Sequence, residues 1–422
     1  MSWGNKPTEP VEPETVFEKF QSAAVQPQDP WSSPPHRDAY NYARSEEEPG
    51  EEPARLIEVP KEAAAEVEPE VEPEPEPEIE PEVEPESEPD TGGEVLWERH
   101  PNDRWIVGDA GRQPDVRPKV AASFKTPPPD LVVDGAEVGS ISFRAASVRG
   151  IGHQERGEPR QDAYAVRFTQ DKRWLVGCIA DGVSEGHRSH EAAATIVDKI
   201  TDVLVTHLTR NAAEEKFLDW PRLAKTKLPW NEAVSEANAA VMAQAKEHLT
   251  RVYKRQQNDD KLRELEESYS FAHARSIMSS TALAFIVATA PSADGTYHAL
   301  LANVAGDSSA FLLQNNAWIP MSDIKNEGKE IFSGSVRSLP NDVSVHVNPF
   351  YLQVGDAFVV MTDGLGDPLG AARGTVGAFL RHHWQTPPDP LAFAQHLSFY
   401  KKTFTDDRTA VMVWGEPPRK GR

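Results

Sequence analysis

The sequence predicts an α+β sandwich behind a disordered N-terminal tail. Two observations carry this. Apolar runs of strand length recur from residue 140 onward, with helical patterns interspersed but not alternating with them one to one. The residues before them are acidic and proline-rich, a composition that cannot bury enough apolar surface to offset the entropy of ordering the chain.

The strand-like runs are Ser140–Val148, Tyr164–Phe168, Trp174–Ala180, Thr281–Thr289, Tyr297–Val304, Ala310–Gln314, Ala357–Thr362 and Thr409–Trp414. Glu191–Leu208 places Ala192, Ile196, Ile200, Val203 and Leu204 on one face at helical spacing, and Asn231–His248 does the same. Arg251–Arg275 is charged and reads as an exposed helical excursion. Val376–Trp384 and Leu391–Tyr400 are further helical patterns before the last strand. The expected boundaries are a tail over 1–92, a partly docked linker over 93–139, a catalytic domain over 140–416 and a short end over 417–422.

The net charge of −23 is unevenly placed, since residues 1–100 carry −21 of it. Fourteen acidic residues and no basic one lie between Glu62 and Asp90, alternating with prolines in a stretch expected to be stiff and extended. Within the tail, Thr15–Phe20 and Ala23–Val25 carry enough apolar residues for a short amphipathic segment, although a solvated patch is the commoner outcome. Nothing forms the basic face that nucleic acid requires. No run of eighteen apolar residues suggests a membrane span, and the opening residues lack a signal-peptide core. Cys178, the single cysteine, excludes an intramolecular disulfide and sits in an apolar run as a buried small hydrophobe. A cytoplasmic protein is expected.

The chemistry is signalled by where aspartates fall. Trp174–Ala180 runs into Asp181-Gly182, and Ala357–Thr362 runs into Asp363-Gly364. Leu300–Ala305 runs into Gly306-Asp307, and Thr409–Trp414 starts just after Asp406-Asp407. Each Asp-Gly alone is a common turn signal. If the strand ends meet, however, they make an oxygen-only carboxylate cluster of the kind that suits Mg²⁺ or Mn²⁺.

From Ala145 to Trp414 the chain resembles the metal-dependent (type 2C) serine/threonine protein phosphatases, most closely a bacterial subfamily. The motifs are Ser147-Val148-Arg149-Gly150-Ile151-Gly152-His153, then Gly157-Glu158-Pro159-Arg160-Gln161-Asp162-Ala163, then Ala180-Asp181-Gly182. Ser279-Ser280-Thr281, Asn303-Val304-Ala305-Gly306-Asp307-Ser308, Thr362-Asp363-Gly364 and Asp406-Asp407-Arg408-Thr409 follow in the family's order. The resemblance implies a central antiparallel β-sandwich flanked by helices, with the metal site at one end, and hydrolysis of phosphoserine and phosphothreonine in proteins by a metal-activated water. It implies two ions, Mn²⁺ or Mg²⁺, with Asp181 bridging them and the Gly182 carbonyl completing one shell. Asp363 and Asp406 would bind the first ion, Asp162 would order metal-bound water, and Asp307 would help hold a third, looser ion. His153 is the candidate general acid. The expected partners are phosphorylated proteins and a serine/threonine kinase of the same pathway, with no nucleic acid and no membrane.

The chain departs from the wider family at several positions. Gln161 stands where many members have Glu, Ser309 where an arginine is usual, and Asp407 where Asn is usual. Gly157 occupies the place of the phosphate-binding arginine, leaving Arg156 or Arg160 to serve, with Arg160 taken as the candidate. These changes keep open a pseudophosphatase acting as a binding or regulatory module, and a phosphatase for a small phosphorylated metabolite.

Overall fold

Strands covered on both faces read as unbroken apolar runs, and that pattern fixes the centre of this structure, a computed structural model. It describes residues 97–100, 104–109, 117–121, 126–184, 186–211, 227–322 and 338–417. The expected acidic tail and its amphipathic segment lie outside the described residues.

In chain order the elements are β1 (Trp97–Arg99), β2 (Trp105–Val107), β3 (Leu131–Val138), β4 (Ile141–Val148), α1 (Ile151–Arg156), β5 (Ala163–Phe168) and β6 (Trp174–Ala180). Then come the helices α2 (Ser189–Asn211), α3 (Trp230–Arg255), α4 (Asp259–Ser268) and α5 (Phe271–Arg275). They are followed by β7 (Ala282–Ala288), β8 (Thr296–Ala305), β9 (Ser309–Gln314), β10 (Ala317–Pro320), β11 (His346–Gln353) and β12 (Ala357–Met361). The chain closes with α6 (Asp363–Leu369), α7 (Thr375–Trp384), α8 (Pro390–Leu397) and β13 (Arg408–Gly415).

Two antiparallel sheets stack face to face. One is six-stranded, in the order β10-β9-β12-β13-β4-β3, and the other five-stranded, in the order β11-β8-β7-β6-β5. Strands β6, β7, β12 and β13 are buried at every position. Between the sheets, Phe143, Leu175, Ile179, Phe285, Phe358 and Val411 form the central core. On the far side of the five-stranded sheet, α2 and α3 bury Ile196, Ile200, Leu204, Ala237 and Val241. On the far side of the six-stranded sheet, α7 and α8 bury Phe379, Leu380, Trp384 and Phe393. The result is the expected sandwich between two helical layers. No helix among the described residues is long and apolar enough to cross a membrane.

The sheet begins earlier than residue 140. Strand β3, from the segment expected to be a linker, pairs with β4 along its whole length, from Leu131↔Val148 to Val138↔Ile141. Its sequence carries little strand signal because it is a half-exposed edge strand carrying Asp134-Gly135. Strand β11 is equally faint in the sequence: Pro349 interrupts it, which an edge strand tolerates and a central one does not.

The β1–β2 hairpin docks on α7 and α8. Trp97 and Trp105 place their rings 5.7 and 5.4 Å from Phe379, and Val107 is fully buried. The hairpin also extends onto the chain after α8. Tyr400 donates to the Trp105 carbonyl at 2.7 Å, Val107 donates to the Tyr400 carbonyl at 3.1 Å, and Lys402 donates to the Asp109 carbonyl at 3.0 Å. Truncating the half-buried Trp105 side chain leaves part of the α7 face without contacts, so Trp105→Ala should cost about 2 kcal/mol. A thermal melt should show the loss as a lower midpoint, and an unchanged midpoint would mean the hairpin is not part of the folded unit.

Candidate metal centre

The register of the two sheets brings the aspartates together. Ala163 pairs with Ala180, so Asp162, just before β5, and Asp181, just after β6, leave the five-stranded sheet side by side. In the other sheet Met361 pairs with Ala410 on one side and with Ser309 on the other. Asp363, Asp406 and Asp307 therefore leave neighbouring strands at one end. All strand ends that carry a candidate residue open at the same edge of the sandwich.

Hydroxyl side chains fix these ends. Thr281 Oγ1 accepts from the Asp181 amide at 2.9 Å, while Ser280 Oγ donates to the Asp181 carbonyl at 2.7 Å. The Ser279-Ser280-Thr281 motif thus holds the main chain at Asp181. Thr362 Oγ1 donates to Asp162 Oδ2 at 2.8 Å and accepts from the Thr409 amide at 3.0 Å, joining β5, β12 and β13.

The carboxylates feel one another strongly. Burial, then the charges of Asp162 and Asp363, push the Asp181 carboxyl well above the usual carboxylate range; it also shares a hydrogen bond with Asp363 and feels Asp406. Asp162 is raised likewise, by burial and then by Asp407. Without a cation the cluster must take up protons to relieve the repulsion. Close beside it, the buried Gln161 Oε1 has no protein partner. A crowded oxygen donor set of this kind fits hard divalent ions, with Asp181, the Gly182 carbonyl, Asp363 and Asp406 as the residues that could hold them.

Asp406 and Asp407 divide their work. The Asp406 side chain is 52% exposed and faces the cluster. Asp407 is 2% exposed and is consumed by the main chain. It accepts from the amide of Gly150 at 2.6 Å and from those of Gln161 and Asp162. The approach is close enough to demand glycine twice. A Cβ on Gly150 would collide with the Asp406 backbone, and one on Gly364 would collide with the Asp407 carbonyl oxygen.

His153 lies beneath this loop, 2% exposed. Its Nδ1 is 2.8 Å from Asp407 Oδ1, though poorly aligned for a hydrogen bond. Nε2 is 3.8 Å from Asp406 Oδ1 and 3.7 Å from Glu158 Oε2. Burial alone would lower its pKa, but Asp407 and then Asp406 outweigh it and raise the value.

The arginine expected at the phosphate is turned inward. Arg160 is buried and donates to the Pro129 carbonyl at 3.0 Å, to Ser147 Oγ at 2.6 Å and to the Asp162 carbonyl. It clamps the β4–β5 end from below instead of facing the cleft. Arg156 is 55% exposed, pairs with Glu158 at 2.7 Å and adds its charge to the field at His153. Asp307 is half-buried at the β8–β9 turn, on the Asp363 side. Cys178 is fully buried in β6, and burial pushes its thiol pKa up.

Similar solved structures include the serine/threonine phosphatase of S. agalactiae, at 17% identity and TM-score 0.38, covering 65% of this chain and 100% of that one. The serine/threonine phosphatase PstP/Ppp of Mycobacterium tuberculosis is also 17% identical, at TM-score 0.37, with 68% and 100% covered. The Mycobacterium smegmatis phosphatase MsPP, solved with cacodylate, is 18% identical at TM-score 0.37, with 66% and 99% covered. No curated protein sequence matches. The family profile described as protein phosphatase 2C matches residues 149–398, more than half of the chain. By that match, which takes in Asp162, Asp181, Asp307 and Asp363 and ends before Asp406, this chain belongs to the protein phosphatase 2C family.

Proposed function

We propose that this protein is a Mn²⁺- or Mg²⁺-dependent phosphatase for phosphoserine and phosphothreonine in proteins. The observation that carries the reading is the convergence of Asp162, Asp181, Asp363 and Asp406 into one electrostatic cluster. Asp181 would bridge two ions, with the Gly182 carbonyl in one shell and Asp363 and Asp406 on the first ion. Asp307, beside Asp363, would help hold a third, looser ion. When bound, such ions supply a water acidic enough to act near neutral pH and offset charge on the phosphoryl oxygens.

The chain's own residues do the rest. Asp162, anchored by Thr362, orients water at the site. Asp407 braces His153, whose Nε2 faces Asp406, and His153 would hand a proton to the departing serine or threonine oxygen. Arg156, exposed and paired with Glu158, would be the guanidinium that meets the substrate phosphate. A kinase that installs the phosphate is the natural counterpart of this activity.

Replacing the bridging ligand tests the whole reading. Asp181→Asn should fold, and should melt higher than wild type when both are metal-free, because one crowded carboxylate is gone. Phosphate release from a phosphothreonine peptide with Mn²⁺ should drop roughly a thousandfold or more. Asp363→Asn should lose mainly the first ion. Wild-type turnover in a folded Asp181→Asn protein would exclude this site.

The two arginines separate cleanly. Arg156→Ala should raise KM for the peptide about tenfold with little change in melting. Arg160→Ala should lower the melting midpoint, because it removes two buried hydrogen bonds and a partly buried one. The reverse pattern, steady-state kinetics against melting, would reassign phosphate contact to Arg160.

His153→Gln distinguishes a proton donor from a packing residue. Turnover of the phosphothreonine peptide should fall roughly a hundredfold, while an aryl phosphate, whose leaving group needs no proton, should be nearly unaffected. Equal losses on both substrates would make His153 structural only.

A further inference from the structure

We propose that Arg408 is a positioning residue for the metal-binding carboxylates, tying the Asp363 turn to the Asp406 loop through their main-chain carbonyls. The inference rests on the metal-centre reading above. Arg408 opens β13 and is 5% exposed. Its Nε donates to the Gly364 carbonyl at 3.1 Å, directly after Asp363. Nη2 donates to the Phe404 carbonyl at 2.9 Å, two residues before Asp406. Nη1 donates to the carbonyls of Leu397 at 2.8 Å and Phe399 at 2.6 Å, where the chain leaves α8. The guanidinium carbon lies 4.1 Å from the centre of the Phe399 ring.

Stability alone does not account for this group. A buried cation is expensive to desolvate, and apolar side chains of similar volume often serve a core equally well. A planar fork that reaches four carbonyls on three segments does something no apolar or ammonium side chain can. It sets the distance between two turns that carry ligands to the same ion. Gly364 packed on the Asp407 carbonyl sets the same distance from the other side. The Asp406 loop is tied elsewhere to other segments: Gly152 donates its amide to the Thr405 carbonyl at 2.9 Å, Asp407 holds the Gly150, Gln161 and Asp162 amides, and the β1–β2 hairpin holds Tyr400 and Lys402. The guanidinium is what joins the loop to the Asp363 turn through a side chain.

The test compares Arg408→Met with Arg144→Met in the full-length protein. Arg144 is a similarly buried arginine that donates to the carbonyls of Pro388 at 2.6 Å and Phe143 at 2.8 Å, with no bond to either turn. Calorimetric titration with Mn²⁺ should show the first ion bound at least tenfold more weakly by Arg408→Met. The Mn²⁺ concentration for half-maximal activity should rise in step. Arg144→Met should keep wild-type affinity, whatever it loses in melting temperature. If Arg408→Met does not fold, Arg408→Lys carries the same test, because it keeps the charge and loses the fork; its affinity should fall as well. Unchanged Mn²⁺ affinity in the folded variant, or an equal loss in Arg144→Met, would overturn the positioning role. Wild-type protein that binds no Mn²⁺ would instead remove the metal-centre reading and this inference with it.

Discussion

Mutual repulsion among carboxylates at one edge of a β-sandwich is the constraint on which this structure depends. Asp181 and Asp162 stand where the other's charge, and that of their neighbours, makes ionisation costly. Such a cluster stays together only if its main chain cannot retreat. Here it cannot, because β6, β12 and β13 are buried at every position and paired on both sides. The sandwich core therefore acts as the frame that keeps like charges in contact, and a divalent cation turns the same crowding into affinity.

The loop before β13 shows how local chemistry completes that frame. Asp407 gathers the amides of Gly150, Gln161 and Asp162 around one carboxylate, with the His153 ring beside it at 2.8 Å. Charge-assisted bonds to backbone amides are short and directional, so they suit a loop whose neighbour must be held at a metal. A neutral Asn, usual at this position in the wider family, would not draw a histidine in the same way.

Much of this was legible in the sequence, for a definite reason. Asp181 and Asp363 follow unbroken apolar runs, and such runs are central strands, so their ends fall at a rim. The helices α2 and α3 show their buried faces as plain periodicity. What was hidden depends on closure between distant segments. Whether Arg160 points outward or down onto Ser147 is decided by β4, not by its neighbours in sequence. The same holds for Arg408, whose partners lie on segments before and after α8. Edge strands β3 and β11 carry too little apolar alternation to stand out from loops.

The burial of Cys178 has a bearing on how such an enzyme could be controlled. Phosphatases that attack phosphorus with a thiolate expose that sulfur to every passing oxidant, and peroxide silences them. This chain has a single sulfhydryl, sealed inside β6 with its ionisation suppressed, and its proposed chemistry has no use for it. Alkylating reagents and mild peroxide should find nothing to modify at the site. Dephosphorylation by this protein would continue through an oxidative burst that switches cysteine-based enzymes off.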